Sequence, residues 1–309
     1  MLDTPILFLI FNRPDTTATV FEEIRKQRPK YLFVAADGPR DKKSGEAETC
    51  KKTREVVTNG IDWDCELKLL FRDRNLGCGH AVCQAITWFF EQVEEGIILE
   101  DDTLPDPSFF NFCEVLLEKY RYDDKIKMIS GDNFQGNKMR CNASYYFTGL
   151  CHIWGWATWK RTWNEYDFSM EQLNKNSVKE SLKKYFNDSN VVNAWYDIFN
   201  KVKDRTIDTW DFQLAFSIWE HEGVNIVPQK NLVSNIGFGF GAVHTTNEKD
   251  QFANMRTFQI NNIIHPLVIE INKEADSYVV KKILYMTDSF FKKRVKAITK
   301  KFKKWLHLK

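Results

Sequence analysis

The chain contains no CxxC pair, and its seven cysteines (Cys50, Cys65, Cys78, Cys83, Cys113, Cys141 and Cys151) are odd in number and scattered. Neither a disulfide framework nor a zinc site is indicated, so reduced, mostly structural thiols in a cytosol are expected. No apolar stretch approaches about 18 residues, and no basic segment leading into an apolar core opens the sequence, so neither export nor membrane spanning is expected. An internal repeat and a low-complexity linker are also missing. Around Gly77 and Gly79 the spacing matches neither a GKS/T phosphate loop nor a GxGxxG dinucleotide fingerprint.

What is present is material for a core. At 309 residues and 43% hydrophobic content the chain can build one large α/β domain or two small ones, and disorder is excluded. Part of the aromatic content must fill that core, while a cluster such as Trp154, Trp156, Trp159 and Trp163 also suits a wall on which sugars stack. The net charge of +2 is unevenly spread: residues 281–309 carry ten lysines and one arginine against Asp288, a local +10 that leaves residues 1–280 at −8. The tail is therefore a separate electrostatic object.

The apolar runs at 5–11 and 97–100 read as buried strands, 31–36 and 66–71 read as further strands, and helical patterns lie between them. Strand–helix alternation of this kind predicts a mostly parallel sheet with helices on its faces and a ligand crevice beyond the strands' carboxyl ends. Those ends carry Asn12 and Arg13, Asp37 and Gly38, the stretch from Arg72 to Gly79, and Glu100-Asp101-Asp102. Further on, 108–120 reads as a helix, 126–130 as a strand, 145–163 as an aromatic and Gly-rich block, 169–205 as polar and helical, 210–220 as a helix, 224–228 as a short strand, and 231–241 as a Gly-rich loop.

The acidic triplet is the most informative feature. Three carboxylates at the end of a core strand are costly unless a cation neutralises them, and a hard divalent metal bridging nucleotide phosphates would do so. An exposed acidic turn before a helix starting at Ser108 is the alternative. Asp37 is equally readable as a turn acid before Gly38-Pro39, Arg13 as turn chemistry in Asn-Arg-Pro, and Asp208 or Asp211 as a helix cap.

In order and motif, residues 5–245 resemble the GT-A-fold glycosyltransferases. Leu99-Glu100-Asp101-Asp102 followed by Pro107-Ser108-Phe109-Phe110 resembles the Glu-Asp-Asp motif of the N-acetylglucosaminyltransferase that initiates complex N-glycans. Gly155-Trp156-Ala157-Thr158-Trp159 and Asn231-Leu232-Val233-Ser234-Asn235-Ile236-Gly237 resemble segments of bacterial polysaccharide sugar transferases. The resemblance implies a GT-A domain over 1–268, with a nucleotide-binding half at 1–102 and an acceptor half at 103–268, followed by a tail at 269–309. It implies a nucleotide-sugar donor, a UDP-sugar first, a glycan or lipid-linked glycan acceptor, and Mn2+ or Mg2+ held by Asp102 with His244 as second ligand. It places Asn12, Arg13, Asp37, Arg74, Asn75, Gly77, Glu100 and Asp101 at the donor, and Gly155, Trp156 and Trp210 around the sugar and acceptor. Asp211 becomes the base of an inverting transfer. Because Phe212 stands where the related enzyme has a second acid, Asp208 is the reserve. A sugar-phosphate nucleotidyltransferase and a membrane-bound scaffold that has lost activity are the rival readings.

In the tail, Phe291, Val295, Ile298, Phe302 and Trp305 recur at helical spacing among lysines. An amphipathic basic helix on an anionic membrane is expected, which puts the protein peripherally on the inner face of the cytoplasmic membrane. A helix that packs on the domain is the alternative, and nucleic acid is not an expected partner of so acidic a body.

Overall fold

The computed structural model describes residues 1–136, 138–173, 175–238 and 251–282. Strand β1 (Ile6–Ile10) is buried throughout and runs into α1 (Pro14–Gln27). Pro14 starts that helix where a missing N–H costs nothing, and Val20, Phe21 and Ile24 form its buried face. Next come β2 (Tyr31–Ala36), α2 (Glu46–Gly60), β3 (Glu66–Phe71), α3 (Cys78–Phe90) and β4 (Glu95–Glu100). The second half contains β5 (Thr103–Pro105), α4 (Ser108–Tyr120), β6 (Ile126–Ser130), β7 (Tyr145–Thr148), β8 (Trp156–Trp159) and α5 (Lys160–Trp163). It continues with α6 (Lys175–Tyr185), α7 (Ser189–Lys203), α8 (Asp211–Glu220), β9 (Val224–Pro228) and β10 (Val233–Asn235), and residues 273–282 are helical. Among the described residues no helix is long and apolar enough to cross a membrane.

Eight strands form one sheet in the order β3-β2-β1-β4-β8-β6-β9-β7. β3, β2, β1 and β4 are parallel neighbours, so β1 is flanked by β2 on one side and β4 on the other. A crevice opens at such a reversal of strand order, beyond the carboxyl ends. The alternation within β1 separates two cores. Ile6, Phe8 and Ile10 join residues of α1, α2 and α4 on one face, while Leu7 and Leu9 join those of α3, α6, α7 and α8 on the other. The fold is α/β, with helices on both faces of one mixed, mostly parallel sheet.

The sequence pattern differs from the structure in two places. The aromatic block at 145–163 holds two strands, and β8 is inserted antiparallel between β4 and β6, with Ala157 opposite both Ile97 and Ile129. The Gly-rich loop holds β10, which pairs antiparallel with β5 so that Ser234 faces Leu104 and Val233 faces Pro105. Pro105 acts as a breaker in the sequence yet is tolerated in this two-stranded ribbon, where its missing donor lies at an edge.

Trp159 ties the inserted strand to the helical layer. It is 2% exposed, its Nε1 donates to Leu117 O at 3.2 Å, and Arg161 covers the ring at 4.3 Å. Trp159→Ala should lower the unfolding free energy by about 3–5 kcal/mol, the cost of a large unfilled cavity. Denaturant titration checks this, and a loss under about 1 kcal/mol would show that β8 is anchored elsewhere.

Candidate active site

The carboxyl ends of β1, β2, β3 and β4 open into a cleft of about 790 Å³. Its lining includes Asn12, Arg13, Asp37, Arg40, Arg72, Asn75 and Gly77 from the first half, then Glu100, Asp101 and Asp102, and also Trp154, residues 206–212 and Asn235. Sheet register sets this up. Leu9 pairs with Glu100, so the residues after β1 emerge beside those after β4.

The acidic triplet forms a tight turn. Thr103 Oγ1 accepts from the Glu100 N–H at 2.9 Å and donates to Glu100 O at 3.0 Å. The turn is held from below by the β5–β10 pair and by Ile236 N–H donating to Asp102 O at 2.8 Å. Arg13 bridges two of the acids: one guanidinium nitrogen meets Asp101 Oδ1 and the other lies 3.0 Å from Asp102 Oδ2. Asp101 Oδ2 accepts from the Phe11 N–H at 3.1 Å, so both Asp101 oxygens are engaged. Burial opposes the charge on Arg13, yet Asp101 and Asp102 hold its pKa above the ordinary arginine value. Burial, then Asp102 and Asp101, raise Glu100, and burial raises Asp101 despite Arg13. One guanidinium thus leaves the triplet with an excess of negative charge.

Among the described residues no three His, Cys, Asp or Glu side chains are placed to hold a metal by themselves. What the triplet does offer suits a hard divalent cation completed by phosphate oxygens and water. Asp102 has one oxygen outside its pair with Arg13, and Glu100 lines the cleft with no side-chain hydrogen-bond partner among the described residues. His244 lies outside the described residues, as do 283–309 and with them the whole apolar stripe of the tail.

Asp37 is engaged by its own loop. It accepts from the Gly38 N–H at 2.9 Å, the Asn75 amide at 2.8 Å and the Leu76 N–H at 3.0 Å, and burial raises its pKa against those bonds. Asn75 also donates to Gly38 O at 2.9 Å. Asn12 lines the cleft and donates to Glu46 Oε1 at 2.8 Å. Arg74 is exposed and outside the lining: its backbone packs against Gly38, where any Cβ would collide with it. Arg72, one residue beyond β3, is the arginine of this loop that lines the cleft. Its only side-chain bond among the described residues is to Gln84 Oε1, at 3.4 Å.

Gly77 has φ +83° and precedes α3, a backbone state that glycine adopts without strain. Asp208 Oδ1 accepts from the Gly79 N–H at 3.1 Å in the first turn of α3, and a Cβ on Gly79 would lie 2.7 Å from that oxygen. Asp208 therefore caps a helix 129 residues away in sequence. Asp211 begins α8, accepts from Thr209 Oγ1 through Oδ1, and lines the cleft; Oδ2 has no hydrogen-bond partner among the described residues. Before it, Trp210 stacks on Trp156 with ring centres 5.7 Å apart. Trp210 reaches the cleft. Trp156, 1% exposed, and Gly155, packed on Val233 and Leu99, lie outside the lining and support it instead. Trp154 lines the cleft, and its N–H donates to Asp132 Oδ1 at 3.2 Å.

Arg72 and Trp154 were within reach of the sequence, one at a strand's carboxyl end and the other in the aromatic block. Asn235 lies in the 231–237 segment that carries the resemblance, whereas Arg40 carries no such signal, because the turn that presents it becomes visible only in three dimensions.

No family model matches the chain, and no curated protein does. Among solved structures, residues 1–349 of TarS from S. aureus align with TM-score 0.41 at 10% identity, covering 74% of this chain and 59% of that one. The mannosyltransferase PcManGT from Pyrobaculum calidifontis, in complex with GDP-Man and Mn2+, aligns with TM-score 0.39 at 12% identity, covering 71% of this chain and 70% of that one. The chain thus spans less than two thirds of the TarS segment it resembles.

The rim of the cleft carries a pH-sensitive element. Hydrogen bonds from Arg40, then from its N–H and from Asn12, depress Glu46 to about 2 from an ordinary 4.5. A depressed carboxyl stabilises the fold fully above its unfolded pKa, and that contribution is lost as pH falls from about 4.5 toward about 2. Glu46→Gln should remove this part of the acid dependence, so melting temperatures of parent and variant should converge between pH 4.5 and 2. A difference that stays constant over this range would show that Glu46 does not carry it.

Proposed function

We propose that the chain is a glycosyltransferase. It would move a sugar from a nucleoside diphosphate, a UDP-sugar first, to a hydroxyl of a glycan or lipid-linked glycan in bacterial surface-polysaccharide assembly. The observation that carries this is the convergence of an acidic triplet, cationic Arg13 and Arg72, and a half-free Asp211 on one cleft at the sheet's reversal point. The motif resemblance supplies the donor and acceptor classes.

On this reading Asp37 fixes Asn75 and Leu76 and so shapes the loop against which the donor lies. Arg72, which no carboxylate within 4.0 Å claims among the described residues, is available to an anionic or carbonyl group of the nucleotide. Asp102 and Glu100 would hold Mn2+ or Mg2+. A bound cation of that kind supplies Lewis-acid stabilisation of the diphosphate as it departs.

Asp211 takes the acceptor's proton on Oδ2 while the acceptor oxygen attacks the anomeric carbon from the face away from the diphosphate, which inverts that centre. The Trp156–Trp210 stack and the Thr209 hydroxyl hold Asp211 in place. Asp208 is committed to the Gly79 N–H and is not needed as a base.

Asp211→Asn should bind donor nearly as the parent does and lose transfer by about two to four orders of magnitude, the usual share of general-base catalysis. The assay is thermal stabilisation across UDP-, GDP-, CMP- and dTDP-sugars with Mn2+, then turnover with the donor that binds. Normal turnover in the variant, or no stabilisation of the parent by any sugar nucleotide, would overturn the proposal.

The basic tail adds a proposed location, the anionic inner face of the cytoplasmic membrane. Deleting residues 288–309 should abolish salt-sensitive binding to anionic liposomes, because interfacial attraction is worth about 1 kcal/mol per basic residue, while the melting temperature stays near the parent's. A truncated chain that melts much earlier, with a full-length chain that ignores liposomes, would make the tail a structural element.

A further inference from the structure

We infer that Arg13 is the resident counter-ion of the acidic triplet and sets which carboxylates a divalent cation can take: it withholds Asp101, shares Asp102 and leaves Glu100 open. The inference rests on reading the cleft as a donor site that uses such a cation.

Arg13 is not a mobile surface arginine. Its carbonyl accepts the Thr17 N–H at 3.0 Å in the first turn of α1, which fixes its backbone. Its guanidinium is enclosed by the loop after β10, where a Cβ on Gly237 would lie 2.6 Å from Nη1 and collide with Asp102 Oδ2. The side chain is 28% exposed, against 4% for Asp101 and 13% for Asp102.

Both Asp101 oxygens already hold a partner, so a metal there competes with Arg13 and the Phe11 N–H, and burial makes the loss of either expensive. At Asp102 the guanidinium stands 3.0 Å from one oxygen, so a cation at the other oxygen feels a fixed positive charge nearby. The cleft is tuned to accept a cation that arrives with anionic phosphates and to resist one that arrives bare. Arg13 is a positioning residue in this scheme: its charge acts on the cation through Asp101 and Asp102.

The test is binding of Mn2+ alone to the full-length chain, followed by calorimetry or by the paramagnetic resonance of free Mn2+. The forms are the parent, Arg13→Lys, Arg13→Gln, Asp101→Asn, and Arg13→Gln combined with Asp101→Asn. The double variant removes both partners of the buried pair, which spares the fold the cost of an orphaned charge.

Removing the positive charge alone should tighten Mn2+ binding by about tenfold or more in Arg13→Gln, whereas Arg13→Lys, which keeps the charge, and the double variant, which loses one positive and one negative charge together, should stay within about threefold of the parent. If Arg13→Gln fails to fold, the double variant decides the matter when measured against Asp101→Asn alone, from which it differs by the same single positive charge and should bind about tenfold more tightly. Mn2+ bound by Arg13→Gln with the parent's affinity or more weakly, or by the double variant no more tightly than by Asp101→Asn, overturns the inference while the cation reading stands. Mn2+ bound by no form overturns both.

Discussion

The structure depends on neutralising three carboxylates at the end of a strand whose four central residues are buried. Ile97, Ile98 and Leu99 are 0% exposed, so β4 delivers Glu100, Asp101 and Asp102 to a place where hydration is limited. Charge there must be balanced or it raises the carboxyl pKa values, and both effects are present: Arg13 balances part of it, and Glu100 and Asp101 are raised. The pairing follows from sheet order. With β1 beside β4 and Leu9 opposite Glu100, the chain leaving β1 passes the triplet within three residues and places Arg13 on it. A one-residue slip between these strands would exchange the residues that face the two cores and shift the guanidinium away from the acids.

How much of this was legible in sequence varies with the range of the interaction. The alternating first half is local: each short strand pattern makes a strand, including the only partly buried β3, each periodic stretch makes a helix, and the rule for parallel sheets places the crevice at their ends. Asn12, Arg13, Asp37, Asn75, Gly77 and the triplet follow from that rule, and all line the cleft. Arg74 shows where the rule is too coarse. It lies in the same loop as Arg72 and Asn75, but its backbone is spent on packing against Gly38, and the lining arginine is two residues earlier.

The second half is less legible because its strands are short and their partners are far apart. β8 has four residues, bulky aromatics at both ends, and antiparallel partners on each side drawn from β4 and β6. Periodicity cannot reveal such an insertion, since a buried four-residue apolar run fits a helix as well as a strand. The β5–β10 ribbon is harder still: three residues containing a proline pair with three residues from a Gly-rich stretch. The gain from that pairing is tertiary, because it closes the floor under Asp102.

The same distinction separates the two aspartates before and at the start of α8. The family resemblance offered Asp211 as a base with Asp208 in reserve, and helix position offered each as a cap. Three residues of chain turn them to different tasks. Asp208 reaches back to the first turn of α3, where an N–H needs an acceptor and a partial positive charge favours a carboxylate. Its contact leaves no room for a side chain at Gly77 or Gly79, which explains glycine at both positions through packing as well as through the positive φ of Gly77. Asp211 needs no such reach: it opens its own helix, its Oδ1 is satisfied by Thr209, and Oδ2 remains for the cleft. The cap joins the two halves of the chain across the cleft lining, and so holds in register the helix that opens at Asp211.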